Sequence, residues 1–453
     1  MEKENKMGVM PINRLLINMS VPMMISMLVQ SLYNIVDSIF VARISEEALT
    51  SVSLAFPIQN LMIALSVGVG VGVNALVSRR IGQKRYDDAN LTAENGVFLN
   101  ILHSFFFVII GAFLVPLFFS SQTSNADIIY HGTNYLRIIT FFSLGSFLQI
   151  TFERLLQSTG LTFYAMISQV VGAVTNIILD PIFIFGWFGL PAMGTMGAAW
   201  ATVTGQVLAA SLGIYFNFRH NKELTLSVRA FRPKLNIIKE IYAIGLPSII
   251  MMAIGSVLNL AMNNILIAFS TTATAVYGVY FRLQGFVFMP VFGMNNGLIP
   301  IIGYNYGARY PDRIRETIKL SVRYATVIMT VGLIGFQIFP SFLLSLFNPS
   351  PEMYKIGITA LRILSLHFVP AGASIVLSSV FQAFGLGKYS LAISMIRQVV
   401  LLLPIAYLMS LTGNINNIWW AFLISETVSL LLCLYFMKII NKNHIVPLYK
   451  LAI

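Results

Sequence analysis

At 453 residues, 57% hydrophobic and only 10% charged, the chain has too few polar groups to clothe a soluble protein of this size and reads as a polytopic membrane protein. A formal net charge of +12 would suggest nucleic acid in a soluble chain, but the basic residues gather in alternate connections between apolar runs, so no nucleic-acid partner is expected. Cys433 stands alone, which excludes an internal disulfide and a thiolate metal site.

Twelve apolar segments are long enough to cross a bilayer, each needing about 20 residues as a helix. They run over 14–41, 51–78, 91–119, 130–157, 162–186, 193–217, 236–268, 273–303, 315–347, 354–384, 389–412 and 417–440. None shows the alternation of a membrane strand, so the expected class is all-α. The first run lacks the short core and small-residue cleavage site of a signal peptide and is taken as a permanent span. Lys3, Lys6 and Arg14 precede it. Arg79, Arg80, Lys84 and Arg85 follow the second span, a basic series from Arg219 through Arg229 to Lys239 follows the sixth, Arg309 to Arg323 follows the eighth, and Lys438, Lys442 and Lys450 close the chain. The opposite connections hold little beyond Arg43 and Lys355, which places both termini in the cytoplasm.

Taken in order, the first span carries Pro22, Tyr33 and Asp37. The second contains GVGVGV at 68–73, which inside a span serves close helix packing rather than phosphate binding. The fourth carries Glu153 beside Arg154, near a cytoplasmic turn, where an ion pair of structural or gating role is as good a reading as transport chemistry. The fifth reads TNIILDPIFIF from Thr175 to Phe185. A charge in hydrocarbon costs about 3 kcal/mol or more, so Asp180 must be paired, neutralised or hydrated. Asn176 lies four residues before it, on the same helical face, and Pro181 removes a backbone donor beside it. The bland reading of Asp180 is a carboxylate reaching the outer surface from a helix end; for Asp37, with Arg43 six residues on, it is an interfacial residue. By helix rise Asp180 lies about 24 Å along its span. Asp37 reaches a similar outer level from the opposite direction, so the two acids can face each other inside one bundle.

Compared with itself at a fixed offset, the chain pairs Pro22 with Pro247, Asn34 with Asn259, Gln59 with Gln284, Gly68 with Gly293, Gly82 with Gly307 and Asp87 with Asp312. Gln157, Gly160 and Tyr164 meet Gln382, Gly385 and Tyr389 at the same offset, so the chain is an internal duplication. Six spans per copy return the chain to its starting side. The expected organisation is therefore two six-helix bundles, 1–217 and 236–453, joined by a cytoplasmic linker over 218–235 and related by a pseudo-two-fold along the membrane normal. The copies differ chemically. Met262 stands opposite Asp37, and Glu426 is the one acid away from the segment ends in the second half, balanced between a structural and a transport role.

Twelve spans in two halves, with YNIVDSIFV at 33–41 and NIILDPIFIF at 176–185, resemble the multidrug and toxic compound extrusion (MATE) family, most nearly its MepA-like bacterial branch. The resemblance covers nearly the whole chain. It implies export of lipophilic, mostly cationic small molecules in exchange for H+ or Na+ by alternating access between the bundles, in a bacterial inner or plasma membrane. It also implies a coupling site on Asp37 and Asp180, with Asn176 and a sixth-span threonine, Thr202 or Thr204, beside them. Na+ would sit at Asp37, Asn176 and Asp180. Pro22 is implied in bending of the first helix, and Tyr33 lies near the same lobe. Where another branch places acids in its seventh and tenth spans this chain is neutral, which argues against a sodium site in the second half. No enzyme is expected: GLGKYS at 385–390 lacks the phosphate-loop spacing, the histidines are scattered, and no nucleophile has a base partner. No cofactor is expected beyond the coupling ion. The alternative on the same architecture is a flippase for a lipid-linked saccharide or another metabolite, for which a cavity ringed with Arg and Lys would be required.

Overall fold

Helix caps repeat along the chain as its residues do. Ser45 accepts a hydrogen bond from the Ala48 amide at 3.0 Å, and Ser270 accepts from Ala273 at the same distance, each satisfying a donor that the start of a helix leaves open. Lys84 and Arg309, equivalent in the duplication, both adopt left-handed backbone, with φ of 58° and 61°. Gly160 and Gly385 do likewise at 88° and 80°, ending the fourth and tenth spans in a conformation that a Cβ would oppose.

The computed structural model of the chain describes residues 4–227, 232–347 and 349–451. Lys3 and Arg229 of the charge pattern lie outside them. Among the described residues ten helices are long and apolar enough to cross a membrane: Ile12–Ala42, Glu46–Gly82, Tyr86–Gln122, Thr162–Phe185, Thr195–His220, Leu235–Ile267, Thr271–Gly307, Pro311–Ile338, Gly387–Ser410 and Ile415–Lys450. Two further spans are bent pairs, Ala126–Phe141 with Ser143–Ser158 at 48° and Pro351–Ser365 with Phe368–Ala383 at 46°. These are the fourth and tenth spans of the sequence reading. Their bends, which hydropathy does not register, fall at Phe142 and near His367, positions the duplication pairs. No strand occurs among the described residues, and the protein is an all-α integral membrane protein.

The chain forms two compact units, one of residues Ile25–Leu246 and one of Glu4–Met24 with Pro247–Ile453. The divisions fall inside the first and seventh spans, next to Pro22 and at Pro247, and not at 218–235. In each unit a glycine stripe explains which half-helix is held. In unit one a Cβ on Gly245 would collide with the carbonyl of Gly68, and one on Gly72 with that of Ile241, so the start of the seventh span lies against the second backbone to backbone. In unit two a Cβ on Gly297 would stand 2.9 Å from the Met19 backbone, and one on Gly293 would stand 2.6 Å from Met24 Cα, seating the start of the first span on the eighth.

The described parts of the connection after the sixth span, on either side of 228–231, are fastened within unit one. Asn90 donates to the Thr225 hydroxyl at 2.9 Å and accepts from the Thr225 amide at 2.8 Å. Glu94 accepts from Ser227 N at 2.8 Å, and Asn95 from Lys234 N at 3.0 Å. A polar face of the third span thereby supplies partners that the extended linker backbone cannot make for itself.

Candidate functional site

The fifth and sixth spans cross at two glycines. A Cβ on Gly172 would lie 2.8 Å from the carbonyl oxygen of Gly205, and one on Gly205 would lie 2.6 Å from that of Gly172, so the two backbones touch. One turn outward the crossing presents Asn176 to Thr202, with 3.2 Å between the side-chain amide and the hydroxyl. The amide is best satisfied when its nitrogen donates to Asp180 Oδ2 at 3.3 Å while its oxygen accepts from Thr202 N and Oγ1 at 3.1 and 3.2 Å. Asn176 thus links the acid to the sixth span. Asp180 itself is fully buried, on a helix that passes through Pro181 and stops at Phe185, where Gly186 takes φ of 75°.

Asp37 enters from the first span. Its carboxyl lies beside that of Asp180, and its Oδ1 is buried with no hydrogen-bond partner. The charge of both acids reaches the hydroxyls of Tyr33 and Tyr135. Tyr135, 3% exposed, is held by a 3.1 Å hydrogen bond from Gln59 Nε2. Five spans of unit one therefore contribute to a single polar chamber, buried at Tyr135, Asn176 and Asp180 and half-buried elsewhere: the first (Tyr33, Asp37), second (Gln59), fourth (Tyr135), fifth (Asn176, Asp180) and sixth (Thr202). The outer half of the unit packs an apolar shell around that level, with Val41, Ala55, Phe147, Ala198 and Val203 all buried.

The structure brings together Asp37, Asp180, Asn176, Thr202 and Tyr33. It leaves Thr204 out: that hydroxyl donates to the Trp200 carbonyl at 2.7 Å on the exposed side of the sixth span, because two residues along a helix turn a side chain by about 200°. Glu153 is buried elsewhere in unit one and accepts from Gln149 at 3.0 Å. Pro22 lies within the first helix in the segment that belongs to unit two. Glu426 pairs with Arg397 at 3.0 Å in unit two. Sequence reasoning missed Tyr135, and it read Gln59 only as a mark of the duplication. No local signal set Tyr135 apart, since the fourth span also carries Tyr130, Thr133, Thr140, Ser143, Ser146 and Thr151.

Chemically, two carboxyls, an amide and a hydroxyl offer hard oxygen ligands without thiolate or imidazole, a donor set suited to a proton or an alkali cation. Among the described residues no group of three His, Cys, Asp or Glu side chains is placed to hold a metal ion.

Comparison with known proteins identifies the family and the fold. The chain is 25% identical over 421 residues to the multidrug export protein MepA of Staphylococcus haemolyticus, covering 93% of this chain and 92% of that protein. It is likewise 25% identical over 424 residues to MepA of Staphylococcus aureus strain MSSA476, at 92% coverage of each. Among solved structures it resembles an outward-facing multidrug resistance MATE family transporter of the MOP superfamily, with a TM-score of 0.92 and 26% identity over 99% of both chains. A MATE structure in complex with MaL6 matches at 0.91 and 25%, covering 98% of this chain and 99% of that one. The MatE family model matches residues 22–182 and 247–408, one match in each copy of the duplication. The chain belongs to the MatE family of multidrug efflux transporters.

Proposed function

We propose that the chain exports lipophilic, mostly cationic small molecules across a bacterial cell membrane in exchange for H+ or Na+, with Asp37 and Asp180 as the coupling site and both termini in the cytoplasm. The observation that carries this reading is the approach of the half-buried Asp37 carboxyl to the fully buried Asp180. Two such groups cannot both ionise without large repulsion, so a proton or a cation has to be held between them or lost from them as the surroundings change. A single proton held by one of the two carboxyls relieves that repulsion, which favours H+ as the coupling ion. Na+ could replace that proton, with Asn176 and Thr202 completing its oxygen shell.

In the cycle, cation or proton uptake from the outside neutralises the pair and lets Asn176 and Tyr33 rearrange about it. Release toward the cytoplasm restores the charge and favours a cationic cargo. Acids at the site favour cationic cargo over an anionic lipid carrier. The curated relatives named multidrug export proteins support the cargo class. The test is transport of ethidium by protein reconstituted in vesicles, with proton and sodium gradients imposed independently. Dye movement should follow the proton gradient and persist without sodium. Movement that follows only the sodium gradient would assign Na+ instead, and movement indifferent to both would end the exchange reading.

A further inference from the structure

Unit two contains a second buried acid with an incomplete set of partners. Glu426, 4% exposed, accepts from Arg397 Nη1 at 3.0 Å through Oε2, while its Oε1 is buried with no hydrogen-bond partner. The Ser429 hydroxyl, three residues on and 1% exposed, is also unpartnered. A buried carboxylate satisfied at one oxygen by a single-pronged guanidinium contact is poorly compensated for the loss of water. Its partner is differently placed: the Arg397 side chain is 27% exposed against 6% for Glu426, so the guanidinium can keep a hydrated face if the pair opens. Arg397 also sits at the start of the π-helical turn Ile396–Leu402, an irregularity that a span adopts at a cost in regular bonding and that occurs often at functional sites.

The duplication does not repeat this pair. The offset that aligns Tyr164 with Tyr389 sets Arg397 opposite Gly172. Aligning Trp200–Ala201 with Trp420–Ala421 sets Ser425 and Glu426 opposite Gly205 and Gln206. Unit one therefore has a glycine, packed on Gly205, where unit two has Arg397, and the neutral Gln206 where unit two has Glu426.

The groups facing Glu426 can be named element by element. Arg397 comes from the eleventh span, and the eighth span contributes Tyr280, whose hydroxyl lies 2.7 Å from His367 Nε2 at the break of the tenth. The charge of Glu426 reaches both of these, and also Cys433 on its own helix. Phe422, one turn before Glu426, lies 5.9 Å from the His367 ring. Arg362 and Tyr407, on the neighbouring tenth and eleventh spans, are exposed.

We propose that Glu426 is a second proton-exchange site, in unit two, with Arg397 as its releasable counter-ion. A proton from water adds to the Glu426 carboxylate, the ion pair to Arg397 opens, and the guanidinium turns to its hydrated side; loss of the proton to water reverses both changes. The inference rests on the exchange reading only for its purpose, since protonation can be read without transport.

The experiment is an infrared pH titration of the purified protein carrying Asp37→Asn and Asp180→Asn, which removes the first site. The expected result is a titrating protonated-carboxyl band that is lost on adding Glu426→Gln and retained, shifted, with Glu426→Asp. A merely structural ion pair would give no such band, and an unchanged titration on adding Glu426→Gln would overturn the proposal. Should that variant fail to fold, wild-type protein labelled with carbon-13 glutamate carboxyls supplies the same readout. The bands of the buried Glu153 and Glu426 are then separated by Glu153→Gln, and absence of a remaining titrating buried band would overturn the proposal. If vesicle transport proved independent of any ion gradient while this band titrated, the coupling reading would fall and the second site would stand.

Discussion

Thr202 Oγ1 lies 3.2 Å from the Asn176 amide, while Thr204, two residues further along the same helix, bonds back to its own backbone on the exposed side. The sixth span therefore joins the acid chamber through one threonine. Thr202→Ala leaves a buried amide short of a partner, a loss of about 1–3 kcal/mol. Dye efflux from cells should fall several-fold with Thr202→Ala and stay within error of wild type with Thr204→Ala. Equal losses would show that the hydroxyl contact is irrelevant.

Gly172 and Gly205 hold the fifth and sixth spans close enough for Asn176 to reach across. An added methyl at either position meets backbone, which cannot yield as a side-chain tip can. Gly205→Ala should lower stability in detergent by about 1–3 kcal/mol, the usual range for overpacking. It should also impair efflux more than Thr202→Ala does, because both spans are displaced. The check is thermal unfolding alongside dye efflux, and an unchanged melting profile would refute the close crossing.

Tyr135 is positioned by Gln59 at 3.1 Å. Gln59→Leu removes that donor while preserving most of the volume, and should cost about 1 kcal/mol, the ordinary net worth of one hydrogen bond. Its effect on efflux should be smaller than that of Asp37→Asn, because Gln59 acts through Tyr135 rather than on the coupled ion. Tyr135→Phe should reproduce it. A full loss of efflux in a well-folded Gln59→Leu would place Gln59 in direct contact with the ion.

The linker after the sixth span is fastened by Asn90, Glu94 and Asn95. Asn90→Ala combined with Glu94→Ala should raise the rate of proteolytic cleavage near Thr225–Ser227 several-fold and speed amide exchange there, with little change in global melting. Unchanged cleavage would mean that the segment is held by other contacts.

The membrane class, the twelve segments, the duplication and the acid pair were legible because each depends on hydropathy or on identity at a fixed spacing. Asn176 and Asp180 share a face by helix geometry alone. The choice of Thr202 over Thr204 was not legible, since it depends on how the sixth span is rotated about its axis, and that is set by the Gly172–Gly205 crossing. Tyr135 and Gln59 escaped notice for a related reason: their relevance comes from contact between spans distant in sequence. The bends at Phe142 and near His367 were not legible, as each apolar run continues across its break. The division of the first and seventh spans between units follows from glycine stripes on the second and eighth. Pro22 and Pro247 were visible as interruptions, but which unit holds the helix before them was not.

The central claim is that Asp37 and Asp180 together carry the coupling ion. Its most direct test is ethidium transport in vesicles under an imposed proton gradient by wild type, Asp37→Asn and Asp180→Asn, matched for amount and folding. The account predicts that each variant loses gradient-driven transport by at least about tenfold, equivalent to about 1.4 kcal/mol. Undiminished gradient-driven transport in both variants would contradict it.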